Sequence, residues 1–181
     1  MTKRRSVAHW WGSTEAERVA TYPCDAFLPD ADHALFRCVD INAPAPVVFR
    51  WLCQLRAAPY SYDWIDNGGR PSPRTLTPGL EHLDRGQTVM SIFALVDFEP
   101  DRQMTVVIRK QAAVRAFGQV AGSYVVAPVA DHACRLVVKL LARYPHTLYG
   151  AFLRALLPWG DVVMMRKQLL TLKRLAETSR S

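Results

Sequence analysis

The chain has 181 residues, half of them apolar and 22% charged, with a formal net charge of +7. That length supports one domain with a substantial core, and the composition excludes a disordered chain. The positive charge permits an anionic partner without specifying one. Outside Lys3-Arg4-Arg5 the cations are scattered through predicted helices and strands, as on an ordinary solvated surface.

No apolar run follows the basic N-terminal residues, so no secretory signal is expected. The most apolar stretch, 148–165, is interrupted by Arg154, Pro158, Gly160 and Asp161 and makes a poor membrane span. A cytoplasmic location is the expectation. Cys24, Cys38, Cys53 and Cys134 are widely spaced, with no Cys-x-x-Cys pair, and read as small buried hydrophobes rather than zinc ligands, disulfides or nucleophiles.

Residues 1–9 read as a basic tail and 10–181 as a single domain. Thr14, with Glu17 three residues on, fits a capping box and predicts a short helix. Trp10-Trp11 are costly to leave in water; they either anchor this leader onto the domain or present a partner-binding knob. Residues 34–41 predict the first strand, with Leu35, Arg37, Val39 and Ile41 on one face. Asn42-Ala43-Pro44-Ala45-Pro46 stops it and opens a helix whose apolar side is Val48, Trp51, Leu52 and Leu55. Tyr60, Tyr62 and Trp64 then place three aromatics in five residues with Asp63 among them. A helical turn is predicted over 61–66, ending at Asn67-Gly68-Gly69. The connection 70–82, with Pro71, Pro73, Pro78 and Gly79, reads as a lid or a mobile excursion.

From residue 87 the pattern is β: 87–90, 92–98, 103–109, weakly 113–117, then 120–127 and 134–144. In the last of these Leu136, Val138, Leu140 and Ala142 face one way and Arg135, Lys139 and Arg143 the other, so one side of the sheet is expected to be wet. Serial strands with short turns predict an antiparallel meander. Residues 146–157 predict a helix, Pro158 a break, and 161–177 a long helix capped by Asp161. That helix carries Val162, Met165, Leu169, Leu172 and Ala176 along one face. The fold class is α+β.

Several motifs carry a family resemblance: Trp11-Gly12-x-Thr14 with Pro23-x-Asp25; Val39-Asp40-Ile41-Asn42-Ala43-Pro44 leading to Trp51-Leu52-x-Gln54; Tyr60-Ser61-Tyr62-Asp63-Trp64; Asp97-Phe98-Glu99-Pro100; and Met164-Met165-Arg166 through Leu172-Lys173-Arg174-x-Ala176-Glu177. In this order they resemble the START-like (SRPBCC) superfamily, which includes Bet v 1-like and polyketide cyclase/dehydrase-like proteins, and within it a bacterial branch of small members. Local departures are Cys24 where the pattern has glycine, Ala58-Pro59 for Gly-Trp, and Gln87 for aspartate.

The resemblance implies a helix-grip fold: a curved antiparallel sheet around the C-terminal helix, two short helices after the first strand, and an apolar cavity between sheet and helix. Such a cavity holds a hydrophobic or amphipathic small molecule. Mapped onto this chain, Trp51 and Arg37 would meet the ligand, and Tyr60, Tyr62, Asp63 and Trp64 would lie near one end. Phe93, Phe98, Met104, Ile108, Tyr124 and Leu140 would form the sheet wall, and Met164, Met165 and Leu169 the helix wall.

No assembled catalytic signature is present. The five histidines (His9, His33, His82, His132, His146) fall in tails, turns and connections, so no metal or other cofactor is expected. An enzyme on this plan would be cyclase- or dehydratase-like, with Asp63 and Tyr62 as its acid–base candidates. Arg37 either holds a ligand carboxylate or carbonyl, or pairs with a protein carboxylate for structural reasons. Ligand binding leads. A proton-transfer enzyme and a protein-interaction module built on Trp10, Trp11 and 70–82 stand as alternatives. No aromatic–basic interleaving supports a nucleic-acid partner.

Overall fold

The computed structural model describes residues 7–179; residues 1–6, which hold most of the predicted basic tail, and residues 180–181 lie outside the described residues. Val7–Trp10 (α1) is one helical turn with Ala8 buried. Thr14 caps Glu15–Val19 (α2) by the capping box that its sequence predicts. The Thr14 hydroxyl accepts from the Glu17 N–H at 3.3 Å, and the Glu17 carboxylate accepts from the Thr14 N–H at 2.7 Å.

Six strands follow: His33–Ile41 (β1), Thr88–Val89 (β2), Phe93–Glu99 (β3), Gln103–Ile108 (β4), Gln119–Ala130 (β5) and Ala133–Arg143 (β6). They form one antiparallel sheet in the order β1-β6-β5-β4-β3-β2. The last five are the expected meander. The first strand joins it by pairing with the last, Leu35 opposite Leu140 and Arg37 opposite Val138. Between β1 and β2 lie Ala45–Cys53 (α3), a 3-10 turn at Gln54–Arg56, and Asp63–Asp66 (α4). Gln111–Phe117 (α5) joins β4 to β5, and Leu148–Thr178 (α6) ends the fold. At about 1.5 Å per residue α6 is roughly 46 Å long. Among the described residues no helix is long and apolar enough to cross a membrane.

The inner sheet face buries Leu35, Ile41, Met104, Val106, Leu136 and Val138 against Leu169, Leu172 and Leu175 of α6 and Phe49, Trp51 and Leu52 of α3. Each such side chain contributes about 1.5–3 kcal/mol on leaving water. This is the sheet-on-helix grip that the resemblance implies.

Three local expectations are corrected. The outer face of β6 is not wet: Val137 and Leu141, with Phe36, Cys38 and Ala121, are covered by Tyr22, Cys24 and Leu28 of the leader. Lys139 on that face is buried with its Nζ 2.6 Å from Asp25. Residues 113–117, weakly β by pattern, are helical because Ala112, Ala113 and Ala116 favour the helix and Gly118 ends it. Gly118 has φ 82°, and a Cβ there would meet the Arg143 carbonyl oxygen at 2.4 Å. The C-terminal helix runs unbroken through Pro158, capped by Thr147 rather than Asp161. Packing on both sides of the proline, through Leu153 and Val162, outweighs the lost backbone hydrogen bond. Apart from these corrections, β3 carries a register shift between Leu95 and Asp97. The extra residue lets Phe93 and Phe98, five apart, both pack against the inner core.

The tryptophans act as anchors on the domain. Trp11 packs against the inner core and Trp10 against the outer one, with the Arg18 guanidinium 4.6 Å over the Trp10 ring. All four cysteines are buried and unpaired, as their spacing predicts.

Candidate functional site

Arg37 lies on the inner face of β1, fully buried, and its pairing is structural in character. It donates from Nε to the Asp161 carboxylate at 3.0 Å, from Nη1 to the Phe36 carbonyl at 2.9 Å, and from Nη2 to the carbonyls of Ala8 at 2.7 Å and Pro158 at 3.3 Å. Its Nη2 also lies 2.6 Å from the same carboxylate oxygen. Burial pushes the Arg37 pKa down, opposed by Asp161; burial pushes the Asp161 carboxyl up, opposed by Arg37. One residue thereby joins α1, β1 and α6, and every guanidinium nitrogen is satisfied.

The aromatic cluster divides. Asp63 opens α4, and its two carboxylate oxygens accept from the Ser72 N–H at 3.0 Å and the Ser72 hydroxyl at 2.5 Å. Tyr62 is half-buried at the start of α4, and Trp64 is 76% exposed. The chemistry of Asp63 is therefore turned toward the connection 70–82. Gln54 latches the same connection from below, accepting from the Thr77 N–H at 2.9 Å and donating to the Thr77 carbonyl at 3.3 Å. Arg56 Nη1 donates to the carbonyls of Leu80 and His82, both at 3.0 Å.

Tyr60 turns the other way. It is 1% exposed, packs edge-on against Trp51 with ring centroids 6.1 Å apart, and its buried hydroxyl has no hydrogen-bond partner. The preceding carbonyl, Pro59, accepts from Gln168 Nε2 at 2.7 Å, and Gln168 Oε1 accepts from the Tyr124 hydroxyl at 2.9 Å. Two thioethers frame this node. Met90 Sδ lies 3.3 Å from Gln168 Nε2, and Met165 Sδ lies 3.8 Å from the Tyr124 hydroxyl. Burial, then the charge of Asp63, pushes the Tyr60 phenol up to about 12, and burial pushes Tyr124 up as well. Both remain neutral hydrogen-bonding groups near pH 7.

The backbone around the node is strained. Tyr60, Met90 and Ser91 hold φ values of 57°, 47° and 64° without being glycine. A left-handed non-glycine residue costs on the order of 1 kcal/mol or more, and such residues concentrate at functional positions.

Thus Trp51, Tyr60, Met104, Tyr124, Leu140, Met165 and Leu169 share the inner core, with Phe93 and Phe98 packed against it; Ile108 is buried and Met164 half-buried. Arg37 and Asp63 make the separate contacts already described, Tyr62 is half-buried at the start of α4, and Trp64 is exposed. Pattern reading missed Gln168, Pro59 and Met90. Gln168 had a signal: a polar residue between Met165 and Leu169 on the apolar stripe of a helix demands a buried partner.

Near Trp51 the surface opens into a cleft of about 390 Å³ lined by Arg50, Trp51, Arg74, Thr75, Leu76, Leu175, Thr178 and Ser179. Trp51 Nε1 donates to the Ser179 hydroxyl at 2.8 Å on its border. Contacts therefore run from this cleft through the Trp51 ring to the Tyr60 ring, and from the main-chain carbonyl of the preceding Pro59 to Gln168 and Tyr124.

Neither the protein-family models nor the curated proteins compared with this sequence give a match. Solved structures do. A START superfamily protein from Mycobacterium smegmatis is 14% identical, with a TM-score of 0.50 over 80% of this chain and 97% of its own. A protein from Chromobacterium violaceum is 14% identical, with a TM-score of 0.51 over 81% and 98%. One from Mesorhizobium loti is 14% identical, with a TM-score of 0.50 over 82% and 100%. The chain has the START-like helix-grip fold.

Proposed function

We propose that this protein binds a hydrophobic or amphipathic small molecule between the sheet and α6, at the node of Tyr60, Met90, Tyr124, Met165 and Gln168. The observation that carries this reading is the orphaned Tyr60 hydroxyl, on a residue whose left-handed backbone follows the Pro59 carbonyl bound by a buried amide network walled by two methionines. A buried hydroxyl without an acceptor costs roughly 1–3 kcal/mol, a deficit that a ligand carbonyl or hydroxyl removes. Thioethers repack readily, so Met90 and Met165 give way to an apolar ligand body at low cost.

Entry is from the Trp51 cleft, with 70–82 as the lid and Asp63–Ser72, Gln54–Thr77 and Arg56 as its latches. Trp51, Tyr60, Tyr124, Met165 and Leu169 are the contacting residues in this reading; Tyr62, Asp63 and Trp64 belong to the lid hinge. The acid–base alternative ranks below it because both Asp63 oxygens are committed to Ser72. The working unit is taken as the single domain 10–181, in a reducing cytoplasm that suits four unpaired thiols.

The test is native mass spectrometry of freshly purified protein, with extraction of any co-purifying compound and titration with Nile red. A one-to-one adduct or saturable uptake is expected. Gln168→Leu and Tyr124→Phe should each weaken it about tenfold, for one lost buried hydrogen bond. Absence of both adduct and uptake, or uptake indifferent to these substitutions, rejects the site.

A further inference from the structure

The outward face of the first half of α6 is apolar without interruption. Leu148, Tyr149, Phe152, Leu156, Trp159 and Val163 are between 49% and 93% exposed. Their spacing puts them on one side of the helix. The other exposed positions from 148 to 163 are Ala151, Ala155 and Gly160. The two charged residues of this stretch are turned elsewhere: Arg154 donates to the Gly150 carbonyl at 3.4 Å, and Asp161 pairs with Arg37. The exposed fractions amount to on the order of 800 Å² of apolar surface. That exceeds the usual largest patch of a monomer and equals one partner's share of a standard interface.

Charge decides what covers it. Counting on from Leu156, positions 163, 167 and 174 fall on the same helical line at steps of 7, 11 and 18 residues. They are Val163, Lys167 and Arg174, and both cations are exposed. Arg115 is exposed on α5, which α6 meets where the Tyr149 hydroxyl donates to the Ala116 carbonyl at 2.7 Å. An antiparallel second copy centred on the stripe would bring Lys167 of each protomer toward the end of the other where Arg115 lies exposed, cation against cation. An apolar ridge carrying Trp and Phe and continued by lysine and arginine matches instead the interface of an anionic bilayer.

We propose that this protein docks peripherally on anionic phospholipid membranes through the outer face of α6, with Phe152, Leu156 and Trp159 inserted among the acyl chains and Lys167 and Arg174 against the headgroup phosphates. The docking surface is separate from the interior ligand site and does not depend on it.

The test is co-sedimentation of the full chain with vesicles of phosphatidylcholine alone and of phosphatidylcholine with a quarter phosphatidylglycerol. Binding to the anionic vesicles is expected, weakening as salt rises. Leu156→Glu should abolish it, and Lys167→Glu/Arg174→Glu should weaken it at least tenfold, as two reversed charges near a charged surface imply. Circular dichroism and Nile red uptake should be unchanged, because these side chains are exposed. Should Leu156→Glu disturb folding, Leu148→Glu, at the most exposed position, replaces it. Absence of vesicle binding, or binding that survives Leu156→Glu, overturns the proposal. So does sedimentation as a dimer that Leu156→Glu splits, which would assign the ridge to a second copy.

Discussion

Two buried polar nodes hold α6 to the sheet, and they are built on opposite terms. At the Arg37 node every nitrogen has an oxygen, the charges are matched, and three elements meet with no strained backbone. At the Gln168 node the acceptors include soft sulfurs, one neighbouring hydroxyl is unpaired, and three flanking residues sit in left-handed conformations. A satisfied ionic node fixes geometry. An under-satisfied node walled by methionine leaves hydrogen-bonding capacity unused inside the fold. The difference separates polar residues fully committed to the fold from one whose hydrogen-bonding capacity the fold leaves unused.

The largest effect should come from breaking the satisfied node. Arg37→Met leaves Asp161 without its counter-charge and should cost about 3–5 kcal/mol in urea denaturation. Arg37→Met/Asp161→Leu, which removes both charges, should recover most of that loss. A single substitution costing under about 1 kcal/mol would contradict a structural Arg37. At the other node the sign reverses. Tyr60→Phe deletes a buried hydroxyl that has no partner, so stability should rise by about 1–2 kcal/mol while Nile red affinity falls. A loss of stability instead would mean that the hydroxyl is satisfied within the fold. A smaller gain, about 0.5–1 kcal/mol, is expected from Ser91→Gly, which relieves a left-handed conformation at an exposed position without removing packing. Thermal melting reads it directly, and no gain would mean that the turn carries little strain.

How much of this was legible in the sequence follows the range of each interaction. Alternation in β1 put Arg37 on the inner face, but its partner is 124 residues away, and the local string Pro158-Trp159-Gly160-Asp161 reads as a helix start. Nothing in that string reveals that the preceding turn already satisfies the backbone. The meander was readable because its turns are local; the leader covering Val137 and Leu141 was not, since β6 alone looks half-wet. Strand periodicity could not put Phe93 and Phe98 together, because a bulge resets the alternation. Of the two nodes, the aromatic density around Tyr60 marked the neighbourhood of the second, while the division of labour between Tyr60 and Asp63 depends on which way the chain turns at Pro59.

A third polar site, on the outer face, calibrates the acid response. Glu17 is pushed up by burial, but hydrogen bonds from Arg135 and Thr14 hold its carboxyl down at about 2. A carboxylate with a depressed folded pKa contributes stability above its unfolded value, near 4.5, and loses it as pH falls from there toward 2. The melting difference between the natural chain and Glu17→Gln should therefore be constant above about pH 5 and shrink below it.

Ligand affinity should show the smallest pH response of all. The Tyr60 phenol is raised to about 12 and Gln168 does not titrate, so the Gln168 node keeps one protonation state between about pH 5 and 9. Nile red affinity is then expected to be flat across that range. Burial pushes the Asp66 carboxyl up, and Asp66 stands one helical turn from Asp63. An affinity that changes near the acid end of the range while the fold stays intact would bring these carboxylates into the site and favour acid–base chemistry over simple binding. A flat profile, joined to the opposite stability signs of Arg37→Met and Tyr60→Phe, would tie recognition to neutral hydrogen bonds and thioether packing, which suits an uncharged polar group on an apolar ligand.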